Sequence, residues 1–336
     1  MRPPPEGFVR RHIRFQIPKD RAGVSLLDFV TSRFPYHTRE GWAEAIAAKR
    51  LRVNERATAV DRVLQYRDVI EYTGADIREP AANLHVERVF EDSEILVVNK
   101  PPNLACHPGG RYFHHTLWAV LRNEFGIESP AFINRLDRET SGLVLIAKTE
   151  GAEKNCRAQF AGRAVEKRYI GLVEGEFPER ILATGYLVED PASPVKKKRL
   201  FVPCAVEAPP LAGARESEWA VTEFRRLAVH GAISAVEARP ATGRLHQIRA
   251  VLEALGFPVV GDKLYGGDPG VFLRFCREEL TDDDRRKLRL DRQALHAAGL
   301  RFRHPRFGKP ISLEAPLPED MAELMRQQDA STPKAE

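Results

Sequence analysis

The 336-residue sequence has no long apolar run, few cysteines and no strong excess of either charge. No stretch approaches the roughly 18 uncharged apolar residues that a membrane span requires. Met1 to Glu6 leads into the charged Arg10-Arg11-His12 rather than into the apolar segment of a secretory leader, so a cytoplasmic location with no membrane partner is expected. The four cysteines, Cys106, Cys156, Cys204 and Cys276, stand far apart without C-x-x-C pairing, as free thiols would, which argues against a disulfide scaffold. Cys106-His107 and His114-His115 match no common zinc spacing, and neither G-x-G-x-x-G nor G-K-[ST] occurs. No metal and no nucleotide cofactor is therefore expected.

What the chain does contain is globular in character, with 43% hydrophobic and 29% charged residues, and its length suits two domains. Lys and Arg total 52 against 47 acidic residues, a net charge of +5 that permits a polyanionic partner without proving one. Gly74 to Ala82 reads as a break, giving a small module over residues 1–73, a linker over 74–84, a main domain over 85–326 and a flexible tail over 327–336. A second break runs from Ala183 to Ser217, rich in Pro, Lys and Ala. Its Lys196-Lys197-Lys198-Arg199 is either a solvated loop or a phosphate-contacting one.

In the first module, Leu26, Leu27, Phe29, Val30 and Phe34 form one helical face and Trp42, Ala45 and Ile46 another, with Thr38 as a cap. Leu51-Arg52-Val53-Asn54 and Asp68 to Tyr72 alternate as short strands. Two small helices followed by a basic hairpin over Lys49 to Asn54 resemble the S4-like α/β RNA-binding module. The chain departs from it where glycine is usual, with Arg50 before the first strand and Glu55 after Asn54. A turn needing positive φ is less favourable there.

Beyond the linker, strand-like runs recur at Ile95–Val98, Leu143–Ile146, Tyr169–Val173, Val221–Phe224 and Ile233–Val236. Helical patterns lie between them, at Thr116 to Leu121 and at Ile248, Val251, Leu252 and Leu255, the latter ended by Gly256. Thr281-Asp282-Asp283-Asp284 before Arg285-Arg286-Lys287 reads as a capped, solvated helix. The pattern predicts an α+β domain on a large, mixed, mostly antiparallel sheet.

The polar segment Ile133-Asn134-Arg135-Leu136-Asp137-Arg138-Glu139-Thr140-Ser141-Gly142 leads straight into a buried-looking strand, the placement in which loops carry function. By spacing alone, Asp137 between two arginines reads first as a surface ion pair. With Lys100-Pro101-Pro102-Asn103-Leu104, Glu166-Lys167-Arg168-Tyr169 and Ala241 to Arg249 in the same order, the chain from about Val86 to Pro316 resembles the RluA family of RNA pseudouridine synthases. It departs from the family at Asn134, usually His, and at Leu245, often Thr. Cys106 to Tyr112 together with Asn134 look most like the branch acting on the transfer-RNA anticodon stem-loop; large-subunit ribosomal RNA is the other substrate class implied.

The resemblance implies the pseudouridine synthase fold and an isomerase acting as a monomer on structured RNA without a cofactor. Asp137 would be the nucleophile or base, Arg249 its ion-pair partner, and Tyr169 the residue that stacks on the uracil and offers a hydroxyl. Arg135 would fill the place of the flipped base, while Asn134, Arg244, His246 and Lys100 would contact the RNA near it. His246 equally suits a buried structural role. Two rival readings differ in class: a non-catalytic RNA-binding or ribosome-associated protein that keeps the fold, and a glycosidase. The joint presence of Asp137, Tyr169 and Arg249 counts against the first. The second needs another acid beside Asp137, for which Glu139 is nearest in sequence.

Overall fold

A computed structural model describes residues 8–34, 38–205 and 218–331. The chain forms two compact units, Met1–Pro80 with Gly109–Phe113, and Ala81–Pro108 with His114–Glu336. The first comprises β1 (Phe8–Gln16), α1 (Leu26–Arg33), α2 (Arg39–Ala47), β2 (Leu51–Val53), β3 (Arg56–Ala57) and β4 (Val69–Arg78), with its sheet in the order β1-β4-β2-β3. Ser25 and Thr38 cap the two helices by accepting from the Asp28 and Gly41 amides. Both apolar faces close over the sheet, burying Leu26, Phe29, Val30, Trp42 and Ile46 against Leu51, Ile70 and Tyr72.

The turn between β2 and β3 takes up the left-handed region without glycine, with Asn54 at φ 50° and Glu55 at φ 67°. The Asn54 amide supports it by donating to Asp68 and accepting from the Val69 N–H. A side chain that bonds locally offsets part of the strain that glycine would avoid.

The second unit holds β5 (Glu87–Glu91), β6 (Ile95–Lys100), α3 (Leu117–Asn123), β7 (Ala131–Phe132), β8 (Ser141–Ala147), α4 (Glu150–Ala161), β9 (Glu166–Glu174), β10 (Arg180–Glu189), β11 (Arg199–Pro203), β12 (Trp219–His230), β13 (Ile233–Pro240), α5 (Gln247–Ala254), α6 (Pro269–Arg277), α7 (Asp282–Leu288), β14 (Leu295–Arg303), β15 (Pro310–Glu314) and α8 (Glu319–Ser331). Its sheet runs β11-β10-β12-β13-β9-β14-β8-β6-β5, with β15 on β14 and β7 on β8. The β8–β14 pair is parallel and the other pairings are antiparallel. The sheet is buried on both faces at β6 and β8, which is why these strands read as unbroken apolar runs: Leu96, Val98, Val144 and Ile146 enter one cluster, while Ile95, Val97, Leu143 and Leu145 enter another.

Three boundaries differ from the sequence reading. Residues 74–78 continue β4 rather than opening a linker, because β1, unrecognised in the sequence, supplies the pairing partner, and Glu79 beyond them is buried. Residues 327–331 belong to α8, whose Met321 and Leu324 are buried and whose Asp329 bonds His230; only 332–336 of the expected tail lie outside the described residues. The Ala183–Ser217 stretch begins in β10 and contains β11, while its residues 206–217 lie outside the described ones.

Candidate active site

The loop between β7 and β8, residues 133–140, returns the chain to the middle of the sheet and is braced at both ends. At its start the Asn134 side chain acts as an additional peptide group, accepting from the Leu145 N–H at 2.8 Å and donating to the Leu143 carbonyl at 3.2 Å. At its end Glu139 is buried, accepting from Arg138 at 2.5 Å, from Lys263 at 3.0 Å and from the Gln293 N–H at 3.0 Å. Gly142 then sits at φ 113°, where a Cβ would lie 2.3 Å from the Ala297 carbonyl. Only glycine lets β8 approach β14 there.

Between these braces Asp137 stands partly exposed, its Oδ2 accepting from Arg249 Nη1 at 2.7 Å. Arg249 lies in the first turn of α5 and is 7% exposed. Its Nε and Nη2 are bound to Asp262 at 2.6 and 2.8 Å, and its guanidinium lies 4.9 Å from the centre of the Tyr265 ring. Asp262 is anchored in turn by the Leu264 and Tyr265 amides. Burial opposes charge on Asp137, yet Arg249, then His246 and Gln293, hold its carboxyl below the usual range. The result is an anion kept ionised in an enclosed place, with Oδ1 left open.

Tyr169 on β9 shares the cavity with Asp137, packed against the apolar clusters on both sides. Burial, reinforced by the charge of Asp137, pushes its phenol up to about 12, so the hydroxyl stays protonated at neutral pH. The turn from β13 into α5 brings Arg244 and His246 to the same cavity, and the buried amide of Gln247 fixes that turn by bonding Thr242, the Arg244 N–H and β12. His246 is 3.8 Å from Asp137 Oδ1, and burial lowers it to about 4. Lys167 donates to the Thr242 carbonyl, and burial, aided by Arg244, lowers it to about 8.

The cavity, of about 100 Å³, shares Asp137, Tyr169 and His246 with a groove of about 1290 Å³. Arg135, Arg138, Arg157, Lys167, Lys197 and Arg244 line that groove against Glu128, Asp137 and Glu153. Arg135 is exposed and makes no hydrogen bond or ion pair with the described residues. Asp137 is the one carboxylate lining the inner cavity among them. No group of acidic, histidine and cysteine side chains that could hold a metal occurs among the described residues, and no helix is long and apolar enough to cross a membrane.

Comparison with known proteins now bears on the activity. The sequence profile of the RNA pseudouridylate synthase family matches residues 94–254. The chain is 30% identical over 252 residues to ribosomal large subunit pseudouridine synthase D of Zymomonas mobilis, covering 73% of either protein. The chain belongs to the RluA family of RNA pseudouridine synthases. It is also 33% identical over 245 residues to the mitochondrial tRNA pseudouridine(32) synthase of Saccharomyces cerevisiae, covering 72% of this chain and half of the yeast protein. Its fold resembles human RNA pseudouridylate synthase domain containing 1, with a TM-score of 0.52 and 23% identity, covering 77% of this chain and 100% of the human one. The activity is thus RNA pseudouridylation, an isomerisation.

Within this pseudouridine synthase the cavity collects Asp137, Tyr169, Arg249, Arg135, Arg244 and His246, but it does not collect all that the sequence suggested. Lys100 is fully buried and gives its ammonium to the Pro101, Leu104 and Arg138 carbonyls, so it ties down the loop of residues 133–140 and does not line the cavity. Asn134 bonds β8 through both polar atoms of its amide and lines the outer groove rather than the cavity. Glu139 faces Lys263 and Gln293 and does not line the cavity, which leaves a glycosidase without its second acid. Asp262, Lys167, Gln247 and Gln293 were missed. Asp262 carried a usable signal, an acid in the Gly261-Asp262 turn following a helix with an inward arginine.

Proposed function

We propose that this pseudouridine synthase acts on a uridine of a folded transfer RNA or large-subunit ribosomal RNA, with Asp137 as nucleophile or base. The observation that carries the reading is the Asp137–Arg249 pair on the wall of a cavity that opens into a basic groove. The reaction breaks N1–C1′, turns the uracil and joins C5 to the same C1′; a proton leaves C5 and one ends on N1. No redox step enters the balance. A carboxylate with one oxygen fixed by Arg249 and the other open suits attack or proton removal. Tyr169 offers its face to the uracil, and its protonated hydroxyl suits donation rather than base catalysis.

Removing the uridine from its stack costs a few kcal/mol, and Arg135 is the exposed, unpaired cation beside Asp137 that could occupy the vacated place. Arg244 is the candidate for backbone contact. The N-terminal unit resembles an S4-like module, and its cleft lined by Arg10, Arg14, Lys49, Arg50 and Arg52 suits phosphate. On this reading the N-terminal unit carries RNA affinity and the second unit carries the chemistry, in a monomer.

Incubation with unmodified transcripts of both RNA classes, followed by mapping of pseudouridine at single-nucleotide resolution, tests the substrate. Conversion of one uridine in a stem-loop, absent with Asp137→Asn, is expected. No conversion in either class would reject it.

A further inference from the structure

The lysine-rich segment before β11 and the aromatic residue after Asp262 have no part in the mechanism above, yet they meet behind the cavity. The Arg199 backbone N–H donates to the Tyr265 hydroxyl at 2.9 Å, and that oxygen lies 3.0 Å from His246 Nδ1. Tyr265 is fully buried, with the Lys198 ammonium 5.6 Å from its ring centre; Lys198 itself pairs with Asp190 and with Glu253 of α5. The opposite ring nitrogen, His246 Nε2, lines the cavity 3.8 Å from Asp137 Oδ1.

Proton accounting fixes the imidazole. The Tyr265 oxygen already accepts from Arg199, and its own proton has one acceptor within reach among the described residues, His246 Nδ1. If Nδ1 carried a proton, the tyrosine O–H would be buried without a partner, at the cost of its full desolvation. We infer that Tyr265, held by the Arg199 backbone, locks His246 as the Nε2–H tautomer, and that this N–H positions the open oxygen of Asp137 for reaction. His246 is thus a positioning residue acting through Asp137. The backbone agrees with a dedicated placement: His246 sits at φ 57°, a strained conformation for a non-glycine residue, at the cap of α5 without capping it. The 3.8 Å gap exceeds a hydrogen bond, so the proposed positioning requires this contact to shorten when the cavity fills.

The role of Asp137 rests on the function proposed above, whereas the tautomer does not. The full chain labelled with ¹⁵N-histidine, its His246 signals identified by their loss in His246→Asn, reports the tautomer directly. Wild type and Asp137→Asn should both show Nε2–H at neutral pH, because Tyr265 and not the carboxylate sets it. Nδ1–H in either protein overturns the inference. Turnover separates positioning from packing. Asn tolerates the left-handed backbone and still reaches Tyr265, but carries no donor toward Asp137; Gln places its amide near Nε2. Single-turnover rates on the stem-loop converted by wild type should fall about tenfold or more in His246→Asn, the value of one hydrogen bond to a charged group, and recover in part in His246→Gln. A wild-type rate in His246→Asn, or a Gln variant worse than Asn, would show that His246 only fills space. If wild type converts no RNA, the function proposal fails and the labelling experiment still decides the tautomer.

Discussion

Asp262 holds Arg249 through both Nε and Nη2, at 2.6 and 2.8 Å, and thereby turns Nη1 toward Asp137. The arginine is shared between the buried Asp262 and Asp137, the proposed reacting group. Asp262→Asn keeps the shape but leaves Arg249 buried with less compensation, and breaking such a pair costs about 3–5 kcal/mol. Chemical denaturation should show that loss, together with reduced turnover. Burial opposes the charge on Asp262 while Arg249 prevails and lowers its pKa, so its contribution is complete above the usual carboxylate midpoint and fades as pH falls. The stability gap between wild type and variant should therefore narrow in acid. A gap that widens would contradict this account.

Lys100→Met should lower stability by about 1–3 kcal/mol, because one buried and two part-buried carbonyls lose their donor, and should leave RNA affinity unchanged. Unfolding and RNA-binding titrations check both parts. Lost affinity with full stability would return Lys100 to the substrate.

The β2–β3 turn predicts a gain. Glu55→Gly removes a side chain from φ 67° and should raise the stability of the N-terminal unit by about 1 kcal/mol. A fall in its unfolding midpoint would show that the Glu55 side chain contributes more than the strain costs.

The candidate site was legible in the sequence through the order of its motif blocks rather than through any single residue. Asp137, Tyr169 and Arg249 lie around a common cavity because β9, the β7–β8 loop and α5 converge there. The apolar runs at β6 and β8 and the cap at Thr38 were readable from local pattern. Lys100 turns its ammonium to backbone carbonyls, while Asn134 bonds β8 and still lines the groove; a polar residue beside a motif can face either the ligand or the backbone, which the sequence alone does not decide. Asp262 was overlooked although it follows Arg249 by 13 residues, whereas Gln293, 156 residues from Asp137 and outside every recognised motif block, left no local signal. The first linker was placed too early because β1, which alternates charged residues with Ile13 and Phe15, was not recognised as the strand that pairs with β4 through Arg78.

If Arg135 replaces the flipped uridine, Arg135→Ala should slow a structured stem-loop more than a short single strand carrying the same target. Glu139, the partner that would make Arg135 a brace, is already occupied by Arg138 and Lys263. Unstacking costs a few kcal/mol, so partial loss of compensation predicts a differential of roughly tenfold or more in single-turnover rate. Equal losses on the two RNAs would reject the wedge.

Asp137→Asn tests the central claim most directly. The amide keeps the shape of the side chain but can neither attack nor take a proton, so pseudouridine formation under single-turnover conditions should vanish while RNA affinity stays within about tenfold of wild type. Wild type itself should keep its rate as pH falls toward the usual carboxylate midpoint near 3.8, because Arg249 holds Asp137 ionised below it. Substantial turnover by the Asn variant would contradict the assignment of Asp137 as the reacting group.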